Sequence, residues 1–299
     1  MSEILRTPEE RFDNLPAFPY SPRYFENLKG YEGMRMHYLD EGPKGAAHVF
    51  LCLHGEPTWS FLYRKMIPVF TGAGQRVVAP DFFGFGRSDK PVEDRVYQFD
   101  FHRGSLIALI EQLDLSNVIL VCQDWGGLLG LTLPMEMPQR FSRLLVMNTA
   151  LATGEAKLSD GFLAWRQFVK DNPDIDVFKL MQRACPHLTD EECSAYNAPF
   201  PDVRYKAGVR RFPAMVPDRP DAPGAKLSLK ARDWLKSEWS GESFMAVGMQ
   251  DPVLGPPVMA ALQKVIKGCP APYEIAAAGH FVQEWGEAVA QKALDAFGL

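Results

Sequence analysis

Cysteine is scarce in this chain of 299 residues. There are five, an odd number, at Cys52, Cys122, Cys185, Cys193 and Cys269, and none is in CxxC spacing. That excludes a disulfide framework and a thiolate-rich metal site as the basis of the fold. Cys52 and Cys122 fall inside apolar runs and read as buried thiols; Cys122 stands two residues before Asp124, but its strand setting favours packing over reactivity. Also missing is any apolar stretch near the ~18 residues that a membrane-spanning helix needs. Charge is not blocked by sign: 32 Lys and Arg face 37 Asp and Glu, the net charge is −5, and the basic residues are scattered. Neither nucleic acid nor an anionic membrane is therefore an expected partner. The first residues, MSEILRTPEERFDNLPAF, place acids and prolines where a secretory signal has a basic stretch followed by an apolar run. A soluble, cytoplasmic protein is the expectation. No internal repeat and no low-complexity segment is visible.

What is present is ordinary globular material, 46% hydrophobic and 23% charged, in a length that suits one large α/β domain with an insertion or two smaller domains. Apolar, β-branched runs recur at His48–Leu53, Gln75–Ala79, Asn117–Cys122, Arg143–Met147, Glu242–Val247 and Pro272–Ala276. Several are apolar almost throughout, the pattern of strands buried on both faces. Between them His102–Leu113, Gly126–Met137 and Leu227–Glu238 repeat apolar residues at helical spacing. Alternating strand and helix predicts a doubly wound α/β fold. The rhythm breaks between about Ala150 and Gly224, where no strand is evident. Helical pieces (Gly161–Lys170, Asp176–Ala184, Asp190–Tyr196) lead there to Pro217, Pro220 and Pro223, so a helical insertion is expected.

Reactive groups of an open α/β sheet gather at the carboxyl ends of its strands. Four such ends are polar: His54-Gly55-Glu56-Pro57, Gln123-Asp124-Trp125-Gly126-Gly127, Asp251 and His280. The second matches a strand-to-helix nucleophile elbow with Asp in place of the usual serine. On local sequence alone Asp124 serves equally well as a helix N-cap. Chain order favours the elbow, because nucleophile, acid and histidine follow one another as Asp124, Asp251 and His280. Of six histidines only His280, in Ala-Gly-His-Phe directly after a strand, stands where a base can reach Asp124. Asn148 occupies the other strand end that sometimes supplies the acid, but an amide cannot hold an imidazolium by charge, whereas Asp251 can. The backbone N–H groups of Glu56 and Trp125 are the expected oxyanion hole. Gly84-Phe85-Gly86 lacks the third glycine of a nucleotide loop and is not read as one.

His-Gly-Glu-Pro at 54–57, Asp-Phe-Phe-Gly-Phe-Gly-Arg-Ser-Asp-Lys-Pro at 81–91, Gln-Asp-Trp-Gly-Gly at 123–127 and Gly-His-Phe-Val-Gln-Glu at 279–284 resemble the haloalkane dehalogenases. The resemblance extends from about residue 20 to the C-terminus. It is closest to the branch whose acid follows the later strand and whose cap supplies a halide-binding tryptophan. It implies an α/β-hydrolase fold: a mostly parallel eight-stranded sheet flanked by helices, with a core domain at 1–150 and 223–299 and a helical cap at 151–222. It implies Asp124, Asp251 and His280 as the triad, and Trp125 and Trp165 as halide ligands. Phe162, Phe212, Pro213, Val216, Val253 and Leu254 are implied as pocket lining, while Leu128 stands where the family sometimes has an aromatic.

The residue types suit that chemistry. A carboxylate is ionised at pH 7 and can displace halide from carbon directly. A serine would form an ether that the triad cannot cleave, whereas an aspartyl ester can be hydrolysed by base-activated water. Indole N–H groups are donors only, suited to a departing anion. No cofactor or metal is expected. The expected partners are a small apolar halogenated alkane and the released halide, and a monomer is anticipated. Three other readings compete. An epoxide hydrolase would use the same Asp with cap tyrosines, for which Tyr196 and Tyr205 are available. A fluoroacetate-type dehalogenase would place arginines beside the nucleophile to grip a carboxylate, where Trp125-Gly126-Gly127 stands, so a charged acid substrate is disfavoured. A non-catalytic receptor would have no use for a complete triad.

Overall fold

The chain is described here by a computed structural model covering residues 3–299. Its main sheet has eight strands: β1 Arg23–Phe25, β2 Met36–Glu41, β3 Val49–Leu53, β4 Arg76–Pro80, β5 Val118–Gln123, β6 Phe141–Met147, β7 Glu242–Gly248 and β8 Tyr273–Ile275. Their order across the sheet is β1-β2-β4-β3-β5-β6-β7-β8. The pairs β1/β2 and β2/β4 are antiparallel and all others parallel. The mostly parallel α/β sheet expected from the sequence is therefore present. Every residue of β3 and β5 is buried, which is why these strands read as unbroken apolar runs rather than alternating ones.

From β3 the chain first passes to β4 on one side and then to β5 on the other. That reversal opens a crevice beyond the carboxyl ends of β3 and β5, where ligands of open α/β sheets bind. The loops carrying Glu56 and Asp124 leave the sheet at this point.

Between β6 and β7 the described chain forms helices only: Asp160–Asp171, Val177–Ala184, Asp190–Asn197, a 3-10 turn Val203–Lys206, Ala207–Met215 and Ala225–Ser237. Four begin where side chains satisfy orphan N–H groups, the 3-10 turn through Asp202, which accepts from Arg204. Ser159 accepts from Phe162, Asp176 accepts from Lys179, and Thr189 forms a reciprocal capping box with Glu192. Two local departures from the sequence reading have simple causes. The helix expected over Gly126–Met137 is split into Trp125–Gly130 and Leu133–Glu136, the second starting with Pro134 in its first turn, where the missing N–H is harmless. The stretch Ala207–Met215 is helical although Pro213 has no N–H to donate to Val209, and the helix ends two residues later. No helix among the described residues is long and apolar enough to cross a membrane.

Candidate active site

Asp124 follows β5 with φ 51° and ψ −126°, a left-handed conformation that costs a non-glycine residue about 1–3 kcal/mol. Its side chain does not cap the helix that follows. The sharp turn is possible because the neighbours are small. A Cβ on Gly126 would lie 2.0 Å from the Leu53 carbonyl oxygen, and one on Gly55 only 2.4 Å from Asp124 Oδ1. Backbone thus closes around the carboxylate from two strands. Asp124 Oδ1 accepts the Glu56 N–H at 2.8 Å, and the Trp125 N–H also favours the ionised form. Burial nevertheless raises the Asp124 pKa above the usual carboxylate value, against the opposing pull of His280 and these two N–H groups. Glu56 itself is pushed well above its ordinary pKa by burial and then by the Asp124 charge.

His280 Nδ1 lies 2.8 Å from Asp251 Oδ2, while its Nε2 lies 3.6 Å from Asp124 Oδ2, longer than a direct hydrogen bond. Asp251 is held by four donors. His280 Nδ1 and Asn148 Nδ2 reach Oδ2, and the N–H groups of Val253 and Leu254 reach Oδ1. Burial opposes its charge, yet His280, Asn148 and the Val253 N–H outweigh burial and hold its pKa far below the carboxylate norm. For His280, too, burial is the largest influence and disfavours charge, but Asp251 and Asp124 together raise its pKa to about 9.

The three groups open onto a cavity of about 920 Å³ lined by Trp125, Leu128, Phe162 and Trp165, with Pro213, Val216, Val253 and Leu254 also on its wall. Phe212 is not on the wall. Its ring is fully buried behind Trp125, 4.8 Å away, and also packs on Phe85 and His102. This corrects the expectation that Phe212 meets substrate: it sits one layer deeper and fixes the Trp125 indole. Trp125 is 2% exposed and Trp165 half-buried. Trp59 and Trp239 spend their indole N–H groups on protein acceptors. Trp125 and Trp165 have no such acceptor among the described residues, which leaves both donors available to an anion.

A family model for the alpha/beta hydrolase fold matches residues 48–287. The haloalkane dehalogenase of Psychrobacter cryohalolentis is 45% identical over 97% of this chain and 96% of its own length. That of Mycolicibacterium paratuberculosis is 39% identical over 94% and 93%. The solved structure of a haloalkane dehalogenase from Paraglaciecola agarilytica, described as tetrameric, superposes with a TM-score of 0.96 at 57% identity, covering 98% of both chains. The chain belongs to the haloalkane dehalogenases.

In this dehalogenase the tyrosines considered for epoxide opening are turned away from the chemistry. The Tyr196 hydroxyl donates to Glu284 within a fully buried cluster that also holds Arg64, and neither Tyr196 nor Tyr205 lines the cavity. The 81–91 motif likewise builds a loop rather than the site. Asp81 is buried against His37 Nδ1 at 2.7 Å and accepts the N–H groups of Ser60 and Arg87. Two contributors were missed from sequence. Asn148 was set aside as unable to serve as the acid, yet its Nδ2 donates to Asp251 Oδ2 at 2.9 Å. Gln123 was read only as part of the elbow. Its Nε2 lies 2.9 Å from His280 Nε2 and donates to the His280 carbonyl oxygen at 3.1 Å. A carbonyl only accepts, so the amide N–H₂ must face the histidine, and it meets a lone pair on Nε2 only when the imidazole is neutral. Polarity before an elbow aspartate was the available signal, but its direction needed the fold.

Proposed function

We propose that Asp124, Asp251 and His280 hydrolyse the carbon–halogen bond of haloalkanes in two covalent steps, with Trp125 and Trp165 receiving the halide. The observation that carries this reading is the division of labour on one carboxylate: Oδ1 is held by the Glu56 N–H at 2.8 Å, while Oδ2 faces His280 across 3.6 Å. Oδ2 attacks the halogen-bearing carbon, a C–O bond forms, the carbon–halogen bond breaks, and the electron pair leaves with the halide. Indole donors stabilise that charge as it develops. His280 then takes a proton from water as the water oxygen attacks Asp124 Cγ. Negative charge grows on Oδ1, which already accepts the Glu56 N–H, and the Trp125 N–H adjoins the same carboxylate. Collapse expels the alcohol with a proton from His280, regenerates the carboxylate and leaves one proton for each halide released.

The electrostatics suit this order. Asp124 is one of the charges that raise the His280 pKa. Esterification removes that charge and lowers the pKa, so the base becomes neutral at the step that needs it. Gln123 works in the same direction. The same reading treats 151–222 as the cap and the rest as the core domain, and assigns the protein to the cytoplasm, where five free cysteines suit a reducing compartment. The monomer anticipated from the sequence has no support in the tetrameric relative; we favour a tetramer, for which light scattering should give the mass of four 33.6-kDa chains.

The test of the chemistry is single turnover of a bromoalkane in heavy-oxygen water with enzyme in excess. Because water attacks Cγ, the label should enter the peptide containing Asp124 and be missing from the first alcohol formed. Label in that first alcohol would mean that water attacks the alkyl carbon directly.

A further inference from the structure

The cavity is larger than a substrate of a few carbons requires. At about 920 Å³ it lies near the upper end of the range that encloses drug-sized ligands. Its charges also divide by burial, acidic groups inside and basic groups exposed. Among the described residues, the acidic side chains on its wall are Glu56, Asp124 and Asp251, all just beyond strand ends; Asp124 and Asp251 face His280, and Glu56 lies beside Asp124. The charged residues at its exposed end are Lys157 and Arg183. Lys157 is 85% exposed and lies 3.9 Å from Asp160, itself almost fully exposed, so the pairing is loose. The Arg183 guanidinium forms no ion pair or hydrogen bond with any described residue.

The helix that carries Arg183 borders the catalytic loop, while the Arg183 side chain itself is exposed. Arg183 occupies the last turn of the helix Val177–Ala184. A Cβ built on Gly279 would lie 3.9 Å from the Ala184 carbonyl oxygen, so this helix end rests against the loop that presents His280. His187, its ring tilted against Trp285 at 4.5 Å, continues the same wall. A cationic mouth on a chain of net charge −5 is a local departure from the molecule's overall sign, and such rims draw in anionic ligands.

Building on the dehalogenase reading, we propose that the substrates include terminally halogenated alkanoic acids, whose carboxylate rests at Arg183 and Lys157 while the halogenated carbon reaches Asp124. The aliphatic chain spans the apolar wall between the two ends. The carboxylate stays in the exposed mouth, so it keeps much of its water and avoids the desolvation cost of burial. The reaction is unchanged: the terminal carbon–halogen bond breaks, water supplies the hydroxyl, and a hydroxy acid leaves with halide and a proton. A short haloacid is excluded by the same geometry, because its charge would sit beside the Asp124 carboxylate.

The experiment compares terminally brominated hexanoate, octanoate and decanoate with their neutral primary amides, in the unaltered enzyme, Arg183→Gln and Arg183→Glu, at low and high salt. The reading is the ratio of kcat/KM for acid over amide. It should exceed one for at least one chain length, fall about fivefold in Arg183→Gln, fall further in Arg183→Glu, and shrink with added salt. Bromoacetate should not be turned over. If the amides react but the ratio stays below one at every length, or is indifferent to Arg183, the proposal is overturned while the dehalogenase reading stands. If Arg183→Gln lowers kcat for acid and amide equally, Arg183 serves halide release instead, which also overturns it. Failure of amides and bromoalkanes alike would sink the dehalogenase reading itself.

Discussion

On the sheet side of the cavity both oxygens of Asp251 accept two hydrogen bonds each, and Asp124 is gripped by a neighbouring backbone N–H. On the cap side Trp165 is half-buried, Phe168 beside it is 43% exposed, and Arg183 has no polar partner among the described residues. The difference follows from what each side must do. Bond making and breaking need groups fixed in advance of the reaction, because reorganising them during it would cost rate. Admission of substrate and departure of halide need surfaces that can meet water. The sheet wall should therefore punish substitution in the chemical steps, and the cap wall should answer in binding and selectivity.

The largest break in that comparison is Asp251→Asn. An amide has one acceptor oxygen where the site presents four donors, so its N–H₂ must face donors wherever it points. We expect kcat to fall about 10³- to 10⁴-fold in a folded protein, with ester hydrolysis slowed more than halide release. Stopped-flow measurement of the two steps checks this. A loss under tenfold would show that the acid is replaceable.

Trp165→Phe acts on the cap side and should be milder. One indole donor is lost at a half-exposed position, so carbon–halogen cleavage should slow by about 10- to 100-fold and halide should bind more weakly. Ester hydrolysis should be unaffected. Quenching of tryptophan fluorescence by bromide measures the affinity; an unchanged value would make Trp165 a packing residue only.

What the sequence made legible follows this same division. Asp124, Asp251 and His280 stand at strand ends, and strand ends were readable because buried parallel strands are apolar throughout. Two strands lie outside the apolar runs read from sequence: the edge strand β1, three residues long and partly exposed, and β2, which is largely buried but mixes His37, Asp40 and Glu41 with apolar residues. Phe212 was placed on the pocket wall because its family position is there, but adjacent residues of a helix face different ways. Pro213 reaches the cavity, whereas Phe212 packs behind Trp125. Asn148 and Gln123 act through hydrogen bonds to other side chains, and the direction of a hydrogen bond is set by the fold.

The smallest expected effect is on pH dependence. Ester hydrolysis needs neutral His280, so its rate should rise with pH through the His280 pKa and be lost as pH falls below it. With the Asp124 charge removed by esterification, the midpoint should lie below the value of about 9 that holds in the free enzyme. Gln123→Leu removes a donor that disfavours the imidazolium, so the midpoint should move up by about one pH unit. A midpoint that stays put or moves down in rapid-quench profiles would show that Gln123 does not set the state of the base.

The central claim is that halide leaves before the histidine acts. His280→Gln tests it most directly, because attack by Asp124 needs no base and hydrolysis of the ester does. With a bromoalkane the variant should release about one equivalent of bromide per active site and then stop. Its intact mass should rise by that of the alkyl group, and peptide mapping should place the added mass on Asp124. A folded variant that releases no bromide would contradict the account, because His280 would then be required before the carbon–halogen bond breaks and activated water, not Asp124, would be the nucleophile.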